Sequence, residues 1–128
     1  MTQKNNPSVP PPPTSPLVLV RAKQAYQIWH GYFTNLRIPD RVTIGEKIDI
    51  EFLNLLEFIF RACFAFDKFE KLSIVTQANG KNDLLKFLLQ ITWEQKIINH
   101  KQYGTLIPLL DEVGRMLGGW KKDIQGRM

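Results

Sequence analysis

Apolar residues recur every three or four positions along most of the chain, which is the spacing of one face of an α-helix. The first such stripe runs from Pro16 to Leu36, and Arg21 is the one polar residue within it. Ser15 before Pro16 predicts the helix start, with serine as the N-cap and proline as the first helical residue. Pro39 predicts the stop, because the residue before a proline avoids the α region.

A second helix is predicted over residues 40–66, with an apolar surface wider than one face. Leu53, Phe60 and Phe64 form a second line beside the main stripe. A helix that is apolar on more than one side is buried on more than one side. In a short chain this favours a subunit interface. The main stripe consists of Ile44, Ile48, Phe52, Leu55, Leu56, Ile59 and Cys63.

Two further helices follow. We expect the third over residues 68–99, continuous through a turn-like segment around Gly80 that weakens its middle, since glycine is a poor helix former. The fourth has its stripe from Tyr103 to Ile124, and Pro108 is expected to end or kink its first turn. Four helices with short links predict an all-α, antiparallel up-and-down four-helix bundle.

The predicted domain occupies residues 16–128, and residues 1–15 form a separate tail. Asparagine, serine and the run Pro10-Pro11-Pro12-Pro13 cannot pack a core and favour polyproline II. Such a segment can be an SH3-type ligand, but composition favours a disordered proline-rich leader or spacer.

Composition narrows the class of protein. The 128 residues include 17 Lys and Arg against 12 Asp and Glu, and this charge of +5 eases approach to nucleic acid. The single cysteine, Cys63, excludes an internal disulfide and lies on a core stripe, so we expect it to be buried and unreactive. Neither a signal core nor a membrane-spanning stretch is found, which predicts a soluble cytoplasmic protein without membrane contact.

Signatures of catalysis are absent from the sequence. It lacks the phosphate-binding glycine loops, the HExxH zinc motif and the GxSxG nucleophile elbow. His30 and His100 lie on different predicted elements without carboxylates at ligand spacing, so no metal or cofactor is expected. These absences predict a protein that is not an enzyme.

Three glycines within six residues mark the fourth helix. Gly114 lies on the apolar stripe, where a neighbouring helix could pack directly on the backbone. Gly118 and Gly119 would then end the helix and leave Trp120 to cover the end of the bundle. A purely structural role and a subunit contact are both open for this segment.

Three segments together resemble a known bacterial family. They are Arg41-x-x-Ile44-Gly45-Glu46-Lys47-Ile48, then Leu55-Leu56-Glu57, then Glu112-Val113-Gly114-Arg115-Met116-Leu117-Gly118-Gly119-Trp120. The chain resembles, over about residues 17–122, the four-helix bundles that include the accessory variability determinant (Avd) proteins of diversity-generating retroelements. The same family includes small proteins encoded in intervening sequences of bacterial ribosomal RNA genes.

The resemblance implies a function and an assembly. It implies a ring-shaped homopentamer and a non-enzymatic accessory factor that binds a reverse transcriptase and template RNA, with DNA left open, during mutagenic cDNA synthesis. Members often carry Leu-Arg-x-x-x-Arg on the third helix, where this chain has Leu85-Lys86-x-x-x-Gln90.

Clustered lysines and arginines would supply phosphate contacts without base specificity. The candidates for nucleic acid or partner binding are Arg21, Lys23, Lys81, Lys86, Arg115, Lys121 and Lys122, with Arg127 beside the last two. The candidates for oligomer contacts or packing are Leu53, Phe60, Phe64, Gly114, Gly118 and Trp120. Two alternatives are open: a protein of the ribosomal RNA branch, and an oligomeric scaffold that binds only protein.

Overall fold

A computed structural model of the protein describes residues 16–128, and within this part it is entirely helical, with no strand. The predicted tail of residues 1–15, including the Ser15 cap, lies outside the described residues. The four long helices are α1 (Leu17–Phe33), α2 (Glu46–Phe64), α3 (Lys68–Glu94) and α4 (His100–Gly126). The prediction of an all-α fold with four helices is confirmed.

The four helices alternate in direction, as contacts between them show. The Nε1 of Trp29, near the end of α1, donates to Oδ1 of Asp49, near the start of α2, at 3.2 Å. The Nζ of Lys68, at the start of α3, donates to the carbonyl of Arg127, just beyond α4, at 3.0 Å. Each helix packs against two others, which gives an up-and-down arrangement.

Both ends of the first helix differ slightly from the prediction. Helix α1 begins at Leu17, so Pro16 stands at the N-cap position and is not the first helical residue. The helix ends at Phe33, three residues before the predicted end, because the N–H groups of Thr34 and Asn35 turn back to the carbonyls of His30 and Tyr32.

Helix α2 is entered through an irregular helical segment that begins near the predicted start. A single α-turn, Ile38–Asp40, leads into a π-helical stretch, Arg41–Gly45. The buried Gly45 lies so close to the preceding loop that an added Cβ would be 2.9 Å from Cδ1 of Leu36. Close packing at Gly45 therefore leaves no room for a side chain where α2 begins.

Helix α3 is continuous through Gly80, as predicted, but ends earlier than expected. Its start is capped by Asp67, whose side chain accepts from the backbone N–H of Glu70 at 2.9 Å. The predicted end at residue 99 is wrong, because the chain leaves the helix after Glu94. Lys96 then adopts a positive φ of 61°.

Helix α4 does not end at either of two positions where the sequence favoured a stop. It begins with a capping box between Asn99 and Gln102 and passes through Pro108, which the sequence predicted would end or kink the first turn. The glycines at 118 and 119 do not end the helix either, since it reaches Gly126. Buried side chains on both sides of this pair, from Leu117 and Ile124, hold the helix against the core.

The core lies where the four apolar stripes meet. Cys63 is half-buried at its edge, and its Sγ–H donates to the carbonyl of Ile59 at 3.2 Å. Burial raises the pKa of the Cys63 thiol, which fits an unreactive group. The largest fully buried side chains include Trp29, Phe52, Ile48, Leu55, Ile59, Leu85, Leu89, Leu106, Leu110 and Leu117. None of the helices in residues 16–128 combines the length and the hydropathy needed to cross a bilayer.

Candidate nucleic-acid interface

Two of the candidate basic residues are neutralised by acids of α4. The Nε of Arg21 on α1 lies 3.1 Å from Oε2 of Glu112, and the Nζ of Lys86 on α3 lies 3.2 Å from Oδ1 of Asp111. Each pair links two helices, and each basic side chain is about one third exposed. These cations therefore hold helices together and have a carboxylate already beside them.

A third candidate, Lys81, belongs to a charge cluster around the buried carboxylate of Glu51, between α2 and α3. Its Nζ lies 3.0 Å from Oε1 of Glu51, and the Nζ of Lys47 lies 2.7 Å from Oε2 of the same carboxylate. Burial works to raise the pKa of Glu51, but the two ammonium groups outweigh it and the net pKa lies below the ordinary value. Lys81 thus serves the stability of the fold.

The basic residues of α4 itself are arranged differently. All three acids of this helix are paired with cations outside it, namely Asp111 with Lys86, Glu112 with Arg21, and Asp123 with Arg127. Within the described chain, its own four cations make no ion pair. These four are Lys101, Arg115, Lys121 and Lys122.

Arg115 and Lys122 form the outer ridge of α4. They are seven residues apart, which is two helical turns and about 10 Å, and both are exposed on the side away from the buried stripe. Lys121 is half-buried and turned about 100° around the helix axis from Lys122. The structure therefore brings two of the predicted residues, Arg115 and Lys122, onto one helix surface, which we call the α4 basic ridge, and leaves Lys121 outside it.

Two lysines that the sequence reasoning missed lie against the C-terminal end of α4. Lys71 of α3 has its Nζ 5.8 Å from the ring centroid of Trp120, and Lys68 reaches the carbonyl of Arg127. Only the antiparallel pairing of α3 with α4 places them there. The sequence does contain a signal for them. Lys68 and Lys71 lie in the first turns of α3, and antiparallel packing places the start of α3 beside the end of α4.

Lys23 stays apart from the other candidates. It is exposed on α1, two residues after Arg21, which turns it about 200° around the helix axis from Arg21 and so away from α4. The structure does not bring Lys23 to the α4 basic ridge.

The candidate oligomer contacts on α2 share one exposed surface. Leu53, Phe60 and Phe64 are 47%, 54% and 65% exposed, and the rings of Phe60 and Phe64 stand 5.0 Å apart. Phe60 and Phe64 also line an open cleft of about 400 Å³ against Ile74 of α3. We call Leu53, Phe60 and Phe64 the α2 apolar face.

The candidates on α4 have different surroundings. A Cβ added to Gly114 would lie 3.0 Å from Nδ2 of Asn82 on α3, so the two helices approach closely there. A Cβ added to Gly118 would meet nothing within 4 Å. Trp120 is half-buried against the core and lines an apolar cleft with Met116.

Two clefts that the sequence reasoning did not anticipate lie at the opposite end of the helices. One, of about 360 Å³, is lined by Arg37 and Lys96, and the other, of about 520 Å³, by Lys96, Trp93 and His100. Arg37 and Lys96 come from two separate loops, whereas Trp93 lies in the last turn of α3 and His100 is the first residue of α4. Residues 16–128 contain no group of three or more metal-ligating side chains.

These features define a small all-α protein with an interhelical charge network and a basic helix ridge. The model of the bAvd-like family matches residues 19–124, which is most of the chain. The chain belongs to the bAvd-like family, and the resemblance to Avd-type four-helix bundles is confirmed. No curated protein matches it.

Proposed function

We propose that this protein is a non-catalytic accessory factor of a diversity-generating retroelement, acting in the cytoplasm with a reverse transcriptase and its template RNA. Membership of the bAvd-like family supports the accessory role. The protein would hold nucleic acid through its phosphates, because exposed lysines and arginines bind phosphate oxygens without reading base edges.

The pairing pattern of α4 carries the proposal. Its acids are neutralised by Arg21, Lys86 and Arg127, whereas Arg115 and Lys122 on the α4 basic ridge have no ion-pair partner in the described chain. A cation that is already paired gains little from a phosphate, because binding must first break the existing contact. Unpaired cations on a rigid helix release counterions from a nucleic acid without that cost.

Assembly into a homo-oligomer, with a pentameric ring as the specific form, belongs to the same proposal. The α2 apolar face supplies exposed leucine and phenylalanine side chains side by side, and contiguous exposed apolar area marks interaction surfaces. Repeating the α4 basic ridge around a ring would multiply its field, so that a charge of +5 per chain becomes significant.

Copurification tests the partners. The protein would be expressed with the reverse transcriptase and template RNA of a retroelement and analysed by size exclusion with light scattering. The proposal expects one ribonucleoprotein peak that contains an oligomer of this chain. An oligomer that elutes without the reverse transcriptase and without the RNA would instead support the protein-only scaffold or the ribosomal RNA branch.

Binding of labelled RNA at several salt concentrations tests the α4 basic ridge. For single strands the logarithm of affinity falls with the logarithm of salt by about 0.7 per phosphate contact. Arg115→Gln should lower this slope by about 0.7. Arg61→Gln is the matched control, since Arg61 is an exposed arginine on α2 that already pairs with Glu57 at 3.9 Å. Equal slopes for both variants would remove Arg115 from the interface.

A further inference from the structure

The two clefts near the end of α3 and the start of α4 share one lining residue, Lys96. The first lies between the loop after α1 and the loop after α3, with Arg37 on one side and Lys96 on the other. The second lies on the other side of the α3–α4 loop and is lined by Lys96, Trp93 and His100. A single side chain thus borders a basic cleft and an aromatic one.

The backbone at Lys96 adopts a conformation that normally favours glycine. The N–H of Lys96 bonds to the carbonyl of Trp93 at 3.0 Å, and the N–H of Ile97 bonds to the carbonyl of Thr92 at 2.8 Å. This is the Schellman pattern that closes a helix, and Lys96 occupies its left-handed position with φ of 61°. Glycine has no steric penalty there, whereas lysine has one. The lysine side chain at this position therefore has a cost in stability.

The aromatic cleft has a fixed wall. Trp93 stacks on Tyr103 with ring centroids 4.8 Å apart and planes 12° from parallel. The Nε1–H of Trp93 donates to Nδ1 of His100 at 2.8 Å. The indole N–H is only a donor, so Nδ1 accepts and the histidine proton sits on Nε2. The imidazole is exposed and held at one orientation, as a platform for a planar group.

Two acids also line these clefts. Asp40 faces the basic cleft, and Glu94 faces the aromatic cleft, where its Oε2 accepts from Nε2 of Gln90 at 3.1 Å. The hydrogen bond ties Glu94 toward its own helix. Arg37 and Lys96 outnumber Asp40 in the basic cleft, so its balance is positive.

We infer that these two clefts form a second nucleic-acid contact, in which Arg37 and Lys96 bind phosphate of a single strand and an adjoining base stacks on His100 beside Trp93. The inference rests on the proposed function. The site lies where α3 ends and α4 begins, whereas the α4 basic ridge lies toward the other end of α4. Aromatic stacking with neighbouring cations is the chemistry by which proteins hold single strands without reading sequence.

Substitutions at Lys96 give the sharpest test, because replacement by glycine should weaken binding and raise stability at the same time. Lys96→Gly should raise the melting temperature by roughly 2–4 °C while weakening binding of a fluorescein-labelled oligouridylate. Lys96→Gln removes the same charge without relieving the backbone, so it should weaken binding and leave the melting temperature unchanged. Either variant should lower the salt slope by about 0.7.

Lys101→Gln is the matched control, because Lys101 is an exposed lysine one residue after His100 that lines neither cleft. His100→Ala tests stacking: it should weaken binding several-fold with an unchanged salt slope, since no phosphate contact is lost. Quenching of tryptophan fluorescence by the oligonucleotide should be smaller in the same variant, since Trp93 is one of the three tryptophans of the chain.

The outcomes separate this inference from the proposed function. If the wild type binds no oligonucleotide or template RNA, the proposed function fails and this site fails with it. If the wild type binds and Arg115→Gln weakens it, while Lys96→Gln matches Lys101→Gln, the proposed function stands and the second contact is overturned. If Lys96→Gln weakens binding of an acidic peptide but not of the oligonucleotide, the second contact is likewise overturned and the clefts are assigned to a protein partner.

Discussion

Asn82 of α3 reaches across to α4 at the point where Gly114 removes a side chain. Its Nδ2 donates to the carbonyl of Leu110 at 2.9 Å, and an added Cβ at position 114 would stand 3.0 Å from that nitrogen. Asn82 is fully buried, so this hydrogen bond satisfies its amide N–H, which would otherwise be costly to desolvate. The absence of a side chain at Gly114 is thus what allows the buried amide of Asn82 to reach α4.

Gly114→Ala is therefore expected to destabilise the protein. Alanine favours a helix over glycine by about 1 kcal/mol, but its methyl group would push Asn82 out of its hydrogen bond to Leu110. We expect a net loss of about 1 kcal/mol in the free energy of unfolding, measured by urea denaturation.

Gly80→Ala is the matched control for this substitution. Gly80 lies inside α3, and an added Cβ meets nothing within 4 Å. Only the helix propensity changes, so the variant should gain up to about 1 kcal/mol. A Gly114→Ala protein that is stabilised as much as Gly80→Ala would show that Asn82 moves aside freely.

The pH dependence of stability should report on Glu51. Its carboxylate is buried and lies 2.7 Å from Lys47 and 3.0 Å from Lys81, which hold its folded pKa below its ordinary value of 4.5. Because the folded pKa is lowered, the ionised Glu51 stabilises the folded protein at pH values above its ordinary pKa. This contribution disappears as the pH falls through the folded pKa. Glu51→Gln should cost about 1–2 kcal/mol at neutral pH, and this difference should shrink toward zero below 4.5.

Urea unfolding of wild type and Glu51→Gln across this pH range checks the expectation. Glu57→Gln is the control, because Glu57 is 64% exposed and its pair with Arg61 spans 3.9 Å. Exposed pairs contribute little, so this variant should stay within about 0.5 kcal/mol of wild type at neutral pH. A difference for Glu51→Gln that is the same at every pH would contradict the assigned pKa direction.

The helices were predictable from local pattern, whereas the partners of the basic residues were not. The three-to-four spacing of apolar residues is encoded within each helix, and it predicted α1 to α4 and the continuity of α3 through Gly80. Arg21 and Glu112 are 91 positions apart, and their pairing follows only from which helices are neighbours. Charge counting along the sequence could not separate a paired cation such as Lys81 from one such as Arg115, which makes no ion pair within residues 16–128.

Helix ends were also beyond local pattern in two places. Gly118 and Gly119 read as a terminus, but the buried side chains of Leu117 and Ile124 outweigh their poor propensity and carry α4 onward. Lys96 ends α3 in a conformation that the sequence gives no reason to expect from lysine. At the glycines tertiary contacts outweigh intrinsic preference, whereas at Lys96 the local hydrogen bonds of the Schellman pattern accompany the unusual conformation.

Releasing a paired cation should strengthen RNA binding. Glu112→Gln removes the carboxylate 3.1 Å from Arg21 and leaves that guanidinium beside α4 without its acid. The pair is one third exposed, so its loss should cost at most about 1 kcal/mol of stability. We expect tighter binding and a salt slope steeper by about 0.7, measured by anisotropy of labelled RNA.

The α2 apolar face gives the last prediction. Phe60 is 54% exposed, and its ring lies beside that of Phe64 in the cleft between α2 and α3. If this surface joins subunits, Phe60→Glu buries an unpaired carboxylate in the interface and should reduce the mass measured by light scattering to that of one chain. Phe87→Glu is the matched control, since Phe87 is 57% exposed on the outer side of α3 and outside this face. Circular dichroism should show both variants fully helical, because neither side chain belongs to the core. An oligomer that survives Phe60→Glu and dissociates with Phe87→Glu would move the subunit contact from α2 to α3.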